Sequence, residues 1–239
     1  MKDLMLILLS CVACYFLTAQ NKKIAFLDEN YQPISEEVFD KKNNSTVYRS
    51  IQLMTDSVIY KRVAFKYYLG TLEEKSKQQL YNLLSQRNGV DTTKTIIIHY
   101  RDTLPPISSF PKRDSIAPTI GGGHRHINSH KTHLRNLKSC LRYNTRRKTS
   151  IYHFFNFNDG YPLAMEGAIK WNEDPLRMLR KLFYDRSIMN FSWTILIQKN
   201  GNFLVHYYGF LPKIFKDLRK GKNWEIHYSD FQKRYNSLN

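Results

Sequence analysis

Thr194-Ile-Leu-Ile-Gln-Lys-Asn-Gly-Asn-Phe-Leu-Val-His-Tyr-Tyr-Gly209 carries the clearest fold signal of the chain. Two apolar runs, 191–198 and 202–208, flank Lys199-Asn200-Gly201. Asn-Gly between two such runs is the strongest short-range hairpin signal, because a tight turn of the right twist needs positive φ at its centre. Gly209 closes the second run. A helix then fits Leu211 to Arg219, with Ile214, Phe215 and Leu218 on its inner face.

Outward from this hairpin, Glu173-Asp174 heads an amphipathic helix carrying Leu176, Met178, Leu179, Leu182 and Phe183. Acidic residues at its front and Arg180, Lys181 and Arg186 at its back complement the helix dipole. Ser150 to Asn156 has strand character, and a long helix is expected from about Asn128 to Arg142. Residues 107–123, rich in Pro, Ser and Gly, read as an exposed loop. Lys94-Thr-Ile-Ile-Ile-His-Tyr100 is the strongest strand, and its three consecutive isoleucines suit a central position buried on both faces. Before it stand two strand-like runs, 47–53 and 58–69, joined by Thr55-Asp56-Ser57, and a helix from Glu73 to Gln86 stopped by Asn88-Gly89.

The chain therefore reads as α/β. Residues 21–93 form an amino-terminal ββα elaboration, and 94–239 an α/β unit with a basic helix and a carboxy-terminal tail. From residue 94 to about 220 the order is strand, helix, strand, helix, hairpin, helix. That order, with the Thr194–Gly209 hairpin and the helix after it, resembles the thioredoxin-like fold. The resemblance implies a mixed sheet flanked by helices. It also marks two departures. Where the family places Cys-x-x-Cys after the first strand, this chain has Arg101-Asp-Thr-Leu-Pro-Pro-Ile107, and where the family has a proline before the hairpin, it has Trp193. Dithiol exchange needs an attacking and a resolving thiol, and both are missing there. The function expected from this is a non-catalytic thioredoxin-like protein that binds a partner protein or serves in the envelope.

The amino terminus supplies the address. Lys2 precedes an apolar stretch that runs to Leu17 and ends at Thr18-Ala19-Gln20. This is too short to span a bilayer comfortably, which takes about 20 residues, and it suits a secretory signal over residues 1–20. A periplasmic or secreted protein with no transmembrane span after signal removal is the expectation. Leu8-Leu9-Ser10-Cys11 gives an alternative, a lipid anchor through Cys11 or Cys14. After removal of residues 1–20 only Cys140 remains, so the fold has no internal disulfide.

The chain of 239 residues has 37 Lys+Arg against 20 Asp+Glu, a net charge of +17, and residues 111–148 hold ten basic side chains and one acidic. Arg135, Lys138 and Arg142 at i, i+3 and i+7, followed by Arg146, Arg147 and Lys148, would form a positive stripe. Such a stripe suits an anionic envelope component, with nucleic acid a weaker candidate. Within the same region His124, His126, His130 and His133 fall in ten residues. If the helix has begun by His126, then His126, His130 and His133 share one face and could take Zn or Cu in a metal-dependent enzyme. The opposing reading needs no cofactor and makes this an exposed helix start. No P-loop, nucleophile elbow or spaced acid pair occurs.

Overall fold

The computed structural model describes residues 22–118, 124–141, 148–163, 169–183, 192–207 and 212–239. The protein is mixed α/β, and the chain divides into two compact units between Ala64 and Phe65.

The first unit contains β1 (Lys23–Leu27), α1 (Glu36–Asn43), β2 (Tyr48–Met54) and β3 (Val58–Phe65), in the sheet order β1-β3-β2. β1 lies parallel to β3, with Leu27 opposite Arg62, while β2 and β3 are neighbours around the expected turn at Thr55-Asp56-Ser57. The helix α1 is an addition to the ββα reading. Ser35 caps it by accepting from the Val38 amide, and Glu36 and Glu37 occupy its first turn. Glu29 is the buried polar centre of this unit. It accepts from Lys42 at 2.9 Å and from the Tyr48 hydroxyl at 2.7 Å. Burial opposes its ionisation, but these two hydrogen bonds hold its carboxyl below the usual range.

The run read as one strand from 58 to 69 is two, because the chain bends at Lys66 and continues as β4 (Tyr67–Thr71). β4 and α2 (Glu74–Asn88) belong to the second unit, not to an elaboration ending near residue 93. β5 (Thr95–Leu104), β8 (Thr149–Asn158), β9 (Trp171–Glu173), β10 (Ser192–Ile197) and β11 (Asn202–His206) complete a six-stranded sheet ordered β4-β11-β10-β5-β8-β9. β8 is parallel to β5 and β9 to β8, whereas β10, β11 and β4 follow antiparallel on the other side of β5. β5 is thus paired on both edges. Ile96 and Ile98 are fully buried and Ile97 is 1 % exposed, as three consecutive isoleucines on a central strand require.

Two glycines are fixed by geometry. Gly201 has φ of 90° in the β10–β11 turn, as the Asn-Gly signal requires. A Cβ on Gly70 in β4 would lie 2.5 Å from the Phe203 ring of the neighbouring strand.

Elsewhere the elements shift. The loop at 107–123 contains β6 (Ser115–Pro118), paired with β7 (His124–Ile127) in a small separate ribbon. The basic helix α3 runs His130–Leu141, so it begins after His126 and not before it. The helix expected from Glu173 starts at Met178, as α4 (Met178–Phe183), because Leu176 and Arg177 adopt positive φ. α5 (Pro212–Arg219) follows the hairpin as expected. The stretch read as a tail is α6 (Trp224–Asn236), whose Phe231 packs on Tyr67 and Tyr68 at ring distances of 5.5 and 5.6 Å. This packing sets a helix against the edge strand β4, which would otherwise offer open backbone groups to another chain. Among the described residues no helix is long and apolar enough to cross a membrane.

Candidate functional site

Alternation along β5 sends His99 and Arg101 to one face of the sheet and Tyr100 and Asp102 to the other. The parallel register sets His99 beside His153 of β8, with their rings stacked at 5.1 Å. His99 Nδ1 lies 3.3 Å from the Thr194 hydroxyl of β10, and His153, 2 % exposed, meets the Trp171 ring edge-on at 5.4 Å.

The first turn of α3 is held in place over this face by its cap. Asp114 accepts from the Ser129 amide, the Ser129 hydroxyl and the Thr132 hydroxyl, each at 2.7 Å. The Ser129 bonds, with Thr132, hold the Asp114 carboxyl below its usual range. His130 and His133, three residues apart, then approach groups of the sheet side. His130 Nε2 stands 3.0 Å from the Tyr161 hydroxyl, and Arg101 Nη2 stands 3.4 Å from both ring nitrogens of His133. Phe110 stacks on His133 at 5.3 Å and tilts against His130 at 5.1 Å.

Three imidazoles of this layer, those of His99, His133 and His153, stay neutral. Burial, then the Arg101 charge, pushes His99 down to about 4. Burial, then Arg101 and His130, does the same to His133, also about 4. His153 falls to about 3 through burial, then through His99 and His133. Arg101 is itself lowered by burial and keeps its charge at neutral pH. The result is a guanidinium beside three neutral rings, a set that can donate and accept hydrogen bonds and attract an anion.

The four histidines singled out by sequence do not come together. His124 and His126 are exposed on β7, opposite Pro118 and Ile116, so the helical face of His126, His130 and His133 does not form. His130 and His133 instead join His99 and His153, whose sequence surroundings mark them only as strand residues. Among the described residues no group of three or more His, Cys, Asp or Glu side chains is arranged to hold a metal ion. Arg135 and Lys138 lie exposed on α3, while Cys11, Cys14, Arg142, Arg146 and Arg147 lie outside the described residues.

Lys148, the last member of the basic stretch, has a different set of companions. It lines a cleft of about 360 Å³ with Lys199 of the hairpin turn and Arg219 and Lys220 at the end of α5, over buried Thr95 and Gln198. Gln198 is held there by donating to the Leu218 carbonyl at 2.9 Å. Four basic residues and no carboxylate line this cleft, a distribution that favours negatively charged ligands.

No protein-family model, curated protein or solved structure matches the chain.

Proposed function

We propose that this chain is an exported, thioredoxin-like protein that acts by binding a partner and not by dithiol exchange. The observation that carries the reading is the strand order β11-β10-β5-β8, with β8 parallel and β10 antiparallel to β5. That is the arrangement expected of a thioredoxin-like sheet. The carboxy-terminal end of β5, where the family carries its cysteine pair, leads here into Pro105-Pro106-Ile107, and no cysteine occurs between Cys14 and Cys140. The apolar leader before Gln20 supports export. The test has two parts. Intact mass of the processed protein should begin it near Gln20 or Asn21, with a lipid-sized addition at Cys11 or Cys14 pointing to the anchored form instead. An insulin-reduction assay should show no turnover.

A second reading, polyanion binding, is favoured by the basic cleft of Lys148, Lys199, Arg219 and Lys220. Retention on an anionic column should fall steeply with salt. A Lys199→Ala/Lys220→Ala variant should flatten that dependence, since removing a lysine that neutralises a phosphate lowers the salt slope by about one unit.

A further inference from the structure

We propose that Arg101 anchors a binding site for a small oxyanion, a carboxylate or a phosphate, beside the first turn of α3. Arg101 sits on the central strand β5, and its Nε is sealed from solvent with no hydrogen-bond partner among the described residues. Among the described residues no carboxylate pairs with it. Its sequence neighbour Asp102 projects to the opposite face, where it accepts from Asn156 at 3.1 Å and lies 3.7 Å from Arg180. The groups that face Arg101 are the neutral His133 ring and the Tyr161 phenol, and His99 and His153 beyond them are neutral too. A guanidinium withdrawn from water with no counter-charge is one of the costliest arrangements a protein interior can hold, unless a partner anion completes it.

The remaining geometry says which anion. The residue as a whole is part-exposed. The planar guanidinium fork matches two oxygens of a carboxylate or phosphate edge. The Tyr161 hydroxyl and the imidazoles of His130 and His133 supply further polar atoms, and Phe110 walls one side. Arg101 brings a single charge, so the charge to be matched is small, unlike that of the basic cleft. This assignment rests on the charge balance of the β5–α3 layer and does not need the thioredoxin-like reading.

The experiment is thermal melting of the full chain in acetate, phosphate and chloride at constant ionic strength. Acetate or phosphate should raise the midpoint saturably, as a ligand that binds only the folded state does, and chloride should not. The more effective of the two identifies the head group. Arg101→Met should abolish the saturable rise, while Lys199→Ala/Lys220→Ala should retain it. No saturable rise with either anion, or an unchanged rise in Arg101→Met, overturns the proposal. If Arg101→Met does not fold, ring-proton NMR of the unaltered protein decides. The His133 resonances should shift and saturate with the anion, and a His133 signal unmoved through the titration refutes the site.

Discussion

The Tyr100 hydroxyl donates to Asp174 Oδ2 at 3.0 Å, joining the central strand β5 to the start of α4 across the face of the sheet opposite the histidine layer. Asp174 is 3 % exposed and also accepts from the amides of Leu179 and Arg180, both at 2.9 Å. Burial pushes its carboxyl up, and the three hydrogen bonds work against that. The Tyr100 ring is itself stacked on Trp193 at 5.1 Å, so the phenol has little freedom to turn away. Tyr100→Phe should therefore cost about 1.5–3 kcal/mol, the range for a hydrogen bond to a charged group. Asp174→Ala should cost more, since it strands the phenol and two helix amides together. Urea midpoints of the two variants check the order, and equal losses would show that Asp174 does not hold the start of α4.

Four largely buried imidazoles give the protein an acid sensitivity of predictable sign. His99, His133 and His206 are pushed down to about 4 and His153 to about 3, each chiefly by burial. All are neutral in the folded chain at about pH 5, where the unfolded chain has already protonated them near 6.5. The unfolded state then holds more protons, so stability falls as pH drops from about 6.5 towards 4 and the loss levels off below the folded values. Asp174 offsets part of this, because its raised carboxyl takes a proton in the folded state first. His153→Phe should recover on the order of 3 kcal/mol of the loss at about pH 4. Urea midpoints at several pH values for both proteins measure it, and parallel curves would contradict the assignment.

Gly70 is a packing position. A Cβ there would lie 2.5 and 2.9 Å from two atoms of the Phe203 ring and 3.1 Å from Tyr68. Phe203 is held between Tyr68 and Phe183, at ring distances of 5.9 and 4.9 Å, so it has little room to retreat. Gly70→Ala should destabilise by about 1–3 kcal/mol, the usual cost of overpacking. The double variant with Phe203→Leu should lose less than the sum of the two single changes. Additive losses would mean that the ring is not the obstacle.

The elements legible in the sequence are those whose signals are local. Asn200-Gly201 specifies its own turn, and Ile96-Ile97-Ile98 specifies a strand buried on both faces, because chirality and burial act on the residues themselves. The helix α1 has an equally local signal, Ser35-Glu36-Glu37 as a cap with an acidic first turn, and α6 has aromatic residues at Trp224, Tyr228, Phe231 and Tyr235. Both are faint beside the apolar runs that flank them. The site is not legible in the same way. His99 and His153 are 54 positions apart and become neighbours only through the parallel register of β5 and β8. Lys148 and Lys220 meet only once the sheet has brought a strand start to a helix end. Spacing along one helix suggests His126 as a companion of His130 and His133, but the cap at Ser129 starts the helix too late for that.

The last prediction is that the processed protein catalyses no disulfide exchange. If the leader is removed as proposed, Cys11 and Cys14 go with it and Cys140 is the one thiol left. Cys140 lies at the carboxy-terminal end of α3, eleven residues after the Ser129 cap. The partial positive charge that lowers a thiol's pKa belongs to the other end of a helix, and the carboxy-terminal end disfavours a thiolate. Were Cys140 to attack a disulfide, the product would be a mixed disulfide, and release requires a second thiol to resolve it. Turnover of insulin or glutathione disulfide should match the no-enzyme rate, both for the processed protein and for Cys140→Ser. Repeated turnover that disappears in Cys140→Ser would show that the chain has a resolving route that its sequence and fold do not provide.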